Sequence, residues 1–112
     1  MAGLIFAELA PKTTAGIDTA FVTVTDAVTT RQICVTNLTV CNIFGSQILV
    51  NIRKTVNGIA AYLVKEYPLD YGDVPLTWDG TIYLRTAGDI VEVSCNQTNG
   101  CDVSAEQGEY IG

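Results

Sequence analysis

The chain has no histidine. That absence removes the commonest general base, the Ser-His-Asp and Cys-His nucleophile systems, and the imidazole ligands on which many metal enzymes depend. Basic residues are scarce too, six against twelve acidic ones, for a net charge of −6. Lys12, Arg31, Arg53, Lys54, Lys65 and Arg85 are dispersed, with only Arg53 and Lys54 adjacent. Such a chain repels rather than attracts a phosphate backbone, so nucleic acid is not an expected partner. No apolar run approaches the ~20 residues of a membrane-spanning helix. The first ten residues lack a basic region and are interrupted by Glu8, so no secretory signal is expected either. Repeats, low-complexity tracts and linkers are missing, and residues 1–112 read as a single domain.

What is present is apolar and β-branched. Hydrophobic residues make up 48% and charged residues 16%, more apolar material than one small core requires, which reserves some of it for an interface. Alternation predicts about eight strands: Leu4 to Glu8, Ala20 to Thr25, Arg31 to Ile43, Gln47 to Thr55, Ala60 to Tyr67, Gly80 to Arg85, Ile90 to Cys95, and Asp102 to Ser104 with a weaker tail to Tyr110. Loops are expected at Pro11 to Gly16, Asp26 to Thr30, Gly45-Ser46, Pro68 to Pro75, Asp79-Gly80 and Asn99-Gly100. Asn57-Gly58 is the clearest hairpin, because that dipeptide accepts the two positive φ angles of a type I′ turn. Gly88-Asp89 marks a tight corner before the alternating Ile90-Val91-Glu92-Val93. The fold class is therefore all-β, an antiparallel, jelly-roll-like sandwich. Its longest irregular stretch, Pro68 to Asp79, holds Tyr71 and the single tryptophan, Trp78, either as a contact surface or as a cap on the core.

Four cysteines lack the close Cys-x2-4-Cys pair of a structural zinc site. Cys95 and Cys101 bracket a hairpin-like loop and are the candidate disulfide pair; Cys34 and Cys41 point to opposite faces of one strand unless a bulge intervenes, and read as small buried thiols. Asp70 and Asp73 flank Tyr71-Gly72 without the oxygen-ligand spacing of a calcium loop, and no cofactor is expected. The sequons at Asn37 and Asn96 read as chance.

Leu38-Thr39-Val40-Cys41-Asn42, the strand Ile48 to Ile52, Asn57-Gly58, Tyr62-Leu63, Tyr67-Pro68-Leu69, Ile82-Tyr83-Leu84 and the corner Ala87 to Val93 succeed one another in a layout that resembles small β-sandwich structural proteins of tailed-bacteriophage virions. That resemblance implies a non-enzymatic capsid decoration or cement subunit, assembled in the host cytoplasm, that forms homotrimers and binds the major capsid protein or other virion proteins. Met1 to Thr14 is then a candidate arm for a neighbouring subunit, or else the first strand of its own sheet, and Leu4, Ile5, Phe6, Tyr71 and Trp78 are the candidate interface residues. The alternative is a receptor- or carbohydrate-binding sandwich of a fibre or spike, for which Tyr71, Trp78 and Tyr83 would share one surface. Trimeric tumour-necrosis-factor-like jelly rolls and cupins are similar at the Gly-Asp corner, but the metal-binding histidines of cupins are missing.

Overall fold

A computed structural model describes residues 5–78 and 80–111, so Leu4 and Asp79 lie outside the described residues. Ten strands alternate with turns: β1 (Ile5–Glu8), β2 (Lys12–Ile17), β3 (Val22–Thr23), β4 (Ile33–Asn42), β5 (Ile48–Val56), β6 (Ile59–Leu69), β7 (Leu76–Trp78), β8 (Ile82–Leu84), β9 (Ile90–Cys95) and β10 (Cys101–Ile111). β1 and β2 pair with successive parts of β10, and β7 and β8 with successive parts of β4, so each couple is one interrupted edge strand. One sheet runs β1/β2, β10, β4, β7/β8, and the other runs β3, β9, β5, β6.

The pairings are nested. β5 pairs with β6, β4 with β7/β8, β3 with β9 and β1/β2 with β10, so the chain is a long antiparallel ribbon folded back on itself. Its tip is the Asn57-Gly58 turn, where φ is 52° and 79°, the left-handed values a type I′ hairpin requires. Every other connection crosses between sheets, which rolls the ribbon into a jelly roll.

Strand parity fills the interior. Ile48, Val50 and Ile52 of β5 face Leu38 and Val40 of β4, Val91 and Val93 of β9, and Val103 of β10, all 1% exposed or less. Burying each such side chain contributes roughly 1.5–3 kcal/mol. β-branched residues suit these strands because their restricted χ1 costs little on a pleated surface.

Several boundaries differ from the sequence expectation, each for a tertiary reason. Pro11 to Gly16, expected as a loop, is mostly β2: Thr13 and Thr14 find ladder partners on Ser104 and Val103. β10 extends to Ile111 because it is flanked by partners on both sides along its length. β6 continues through Pro68, which an edge strand tolerates since no outer ladder needs its N–H. The long irregular stretch shrinks to 70–75, and Ala20 to Thr25 contributes only Val22–Thr23. Residues 5–8 pair with β10 of the same chain at the edge of its sheet.

At the Gly88-Asp89 corner Gly88 has φ 91° and donates its N–H to Val28 O at 2.8 Å. Asp89 is 1% exposed. Its Oδ1 accepts the Asn57 N–H at 2.9 Å, and its Oδ2 accepts Thr86 N–H at 3.0 Å and Arg85 N–H at 3.3 Å. Burial works against the charged form, but the three amide donors and the nearby Lys54 outweigh it and hold the carboxyl below its ordinary value.

The stability that this carboxylate supplies is therefore fully present above the unfolded-state pKa of 3.8 and is lost as the pH falls through the lower folded value. Asp89→Asn, with one accepting oxygen in place of two, should cost about 2–4 kcal/mol at neutral pH. It should also flatten the acid limb of stability. Urea denaturation of both proteins across the acid range checks this; parallel acid limbs would refute it.

Candidate assembly surface

On β5 the residues that alternate with the core, Asn51, Arg53 and Thr55, face outward. Register aligns Thr23, Glu92, Arg53 and Tyr62 in one row across the four strands of the second sheet. Arg53 Nε donates to Glu92 Oε1 at 3.0 Å, and Thr55 Oγ1 donates to the same oxygen at 3.1 Å. The guanidinium carbon lies 3.7 Å from the centroid of Phe21, whose ring meets Tyr62 edge-on at 6.1 Å. Lys65 Nζ sits 5.3 Å from the Tyr62 ring. Partial burial of the ion pair, with side chains 30% and 14% exposed, together with the stacked ring makes this a more rigid plate than a free surface pair. None of these residues stood out in the sequence, because only register places Phe21, Arg53, Tyr62 and Glu92 side by side.

The β6 margin is the apolar part of the surface. By parity Ile59, Val64 and Tyr67 lie on the core-facing side of β6, yet Ile59 is 72% and Tyr67 45% exposed. Val56 and Tyr62 add to the exposed margin. The open edge is also shaped against indiscriminate pairing. Leu63 is one bulged residue, and a second bulge at Lys65-Glu66 puts Glu66 at φ 52° with its N–H donated to Asn51 Oδ1 at 2.9 Å. Pro68 removes a further donor, so the regular part of the edge is 59–62.

Of the predicted interface residues, Leu4 lies outside the described residues. Ile5 and Phe6 are in β1, opposite Ile111 and Tyr110. Tyr71 is exposed in the 70–75 loop beside the still more exposed Val74. Trp78 is half-buried and packs against the core. It lies opposite Leu38 on the inner face of its sheet, whereas Tyr83 lies opposite Cys34 on the outer face. Tyr71, Trp78 and Tyr83 therefore do not share one platform.

All four cysteines are free thiols. A register shift between Glu106 and Gln107 opposite 35–37 supplies the bulge that brings Cys34 and Cys41 to the same, outer face. Cys41 is exposed, which corrects the reading of both as buried thiols. Cys34 is buried, but outside the core cluster: it is hydrogen-bonded to Tyr110, which also bonds Tyr83. Burial pushes the Cys34 thiol pKa up, with the Tyr110 hydrogen bond opposing. Cys95 and Cys101 adjoin each other, with Cys95 Sγ directed to Ile17 O at 3.3 Å and Gln97 O at 3.1 Å. Burial first, and the neighbouring Cys95 second, drive the Cys101 pKa strongly upward, so this is a protonated, unreactive thiol.

Among the described residues no three His, Cys, Asp or Glu side chains converge to hold a metal. Asp70 instead accepts from Gln47 Nε2 at 2.8 Å.

Gly100 sits directly against Cys95 Sγ, and an added Cβ would clash with it and with Gln97 O at 3.0 Å. Gly100→Ala should destabilise by about 1–3 kcal/mol. Cys95→Ala in the same chain should recover part of that loss, a coupling that a double-mutant cycle of melting curves reads directly.

The chain matches no protein-family model and no curated protein sequence.

Proposed function

We propose that this jelly roll is a non-enzymatic virion structural protein, a decoration or cement subunit that binds a preformed capsid lattice as a homo-oligomer. One observation carries the reading: a ribbon that has already buried a continuous core still leaves large apolar side chains, Val56, Ile59 and Tyr67, exposed along one margin. A monomer gains nothing from that exposure, whereas a subunit wedged between capsid proteins would bury it at about 25 cal/mol per Å². The rigid Phe21–Arg53–Tyr62 plate beside it would dock with little loss of side-chain entropy. The major capsid protein is the partner that the reading names, and the virion the location. The separation of Trp78 from Tyr83 counts against a glycan platform built from those aromatics.

The test is the solution mass of the purified chain by light scattering, followed by co-sedimentation with phage capsids. An oligomer that pellets with capsids is the expected outcome; a monomer that ignores capsids and is retained by a glycan array would replace this reading with the receptor-binding one. Ile59→Glu, on a side chain exposed enough to leave the melting temperature unchanged, should weaken capsid binding at least about tenfold, or 1.4 kcal/mol.

A further inference from the structure

Of six asparagines only Asn57 and Asn99 precede a glycine. A main-chain amide can attack the side-chain carbonyl carbon of the asparagine before it, and a glycine amide does so most readily because no Cβ crowds the approach. Asn37, Asn42, Asn51 and Asn96 are followed instead by Leu38, Ile43, Ile52 and Gln97. Backbone conformation does not separate the two candidates, since φ is 52° at Asn57 and 49° at Asn99. Their surroundings do.

Asn99-Gly100 is fastened on every side. Gly100 is buried, and its N–H, the attacking group, donates to Ile17 O at 2.9 Å. The Asn99 N–H donates to Asp18 Oδ1 at 2.8 Å, its carboxamide lies against Gly16, and Cys95 Sγ packs on Gly100. Reaction there requires a buried hydrogen bond to break and the turn to lift off β2. Asn57-Gly58 lies at the tip of the ribbon, between the exposed Val56 and Ile59. Nothing crowds Gly58, and among the described residues neither its N–H nor the Asn57 carboxamide has a hydrogen-bond partner. Only the Asn57 N–H is held, by Asp89 Oδ1 at 2.9 Å.

We infer that Asn57 is a site of spontaneous deamidation, and that the reaction unfastens the Asp89 clasp. Hydroxide takes the Gly58 amide proton, and the nitrogen attacks Cγ of Asn57. The bond from Cγ to the side-chain nitrogen breaks, and ammonia leaves with a proton from water. Water then opens the five-membered imide at either carbonyl, giving aspartate or isoaspartate; nothing is oxidised or reduced. Isoaspartate routes the main chain through the former side chain and adds a methylene to a tip whose Val56–Ile59 pairing accommodates two turn residues. The added atom displaces the N–H that Asp89 holds. Either product also sets a second carboxylate beside Asp89, in a chain whose net charge is already −6. The inference stands apart from the virion reading.

Trypsin separates the sites, because cleavage after Lys54, Lys65 and Arg85 places Asn57 in peptide 55–65 and Asn99 in peptide 86–112. When the folded chain is incubated in mildly alkaline buffer, Asn57 should gain the amide-to-acid mass difference and the isoaspartyl form at least about ten times faster than Asn99. In guanidinium chloride the two should react at similar rates, since only the fold distinguishes them. The melting temperature of the aged chain should fall in step with the modified fraction. Asn57→Gly retains a turn that accepts left-handed φ and should keep its melting temperature through the same incubation. The folded-against-unfolded comparison needs no variant. Equal rates at the two sites in the folded chain, a folded chain unmodified at Asn57 while the unfolded chain reacts, or a melting temperature unmoved by the modification would overturn the inference.

Discussion

The rolled ribbon depends on a carboxylate buried at its outermost bend. The β5–β9 ladder ends at Thr55 and Ile90, and beyond it a side chain must carry the tie from the turn between β8 and β9 to the hairpin tip. Asp89 joins them, accepting an amide from Asn57 at the tip and two from Arg85 and Thr86 within its own turn. The Gly88 N–H and the Asp89 C=O then hold Val28, closing the connection that leads into β4. An ionised group is suited to this place because three donors converge on it, and charge-assisted hydrogen bonds to a buried carboxylate offset its desolvation.

With the roll closed, the exposed surface becomes informative. Proteins blunt open edges with charge, proline and bulges, and β6 carries all three at Lys65, the 65–66 bulge and Pro68. Against that background, segment 59–62 stands out as the regular, apolar part of the edge. Side-chain placement follows the same economy: Phe21, Arg53 and Tyr62 pack on one another, and the Trp78 side chain packs against the core.

Much of the architecture was legible in the sequence. β4, β5, β6 and β9 declared themselves by alternation, and the Asn57-Gly58 tip by the tolerance of its two residues for positive φ. β2 did not, because Lys-Thr-Thr-Ala-Gly has loop composition and becomes a strand only when β10 offers it a ladder. Cys34 and Cys41 were assigned to opposite faces by a parity rule that a single bulge reverses. The Arg53 row was invisible, since its members are scattered from Thr23 to Glu92 and share a face only through three inter-strand registers.

The amino-acid sequence by itself determined the fold class, the tip of the ribbon and the tight corner at Gly88-Asp89, since these depend on residue type, two-residue periodicity and local φ preference. Tertiary structure alone decided which side chains became neighbours: the Asp89 clasp, the Phe21–Arg53–Tyr62 plate and the exposed β6 margin. Each of those depends on register between strands distant in the chain. Register is set by how the whole ribbon rolls to bury its core, and no local stretch of residues encodes it.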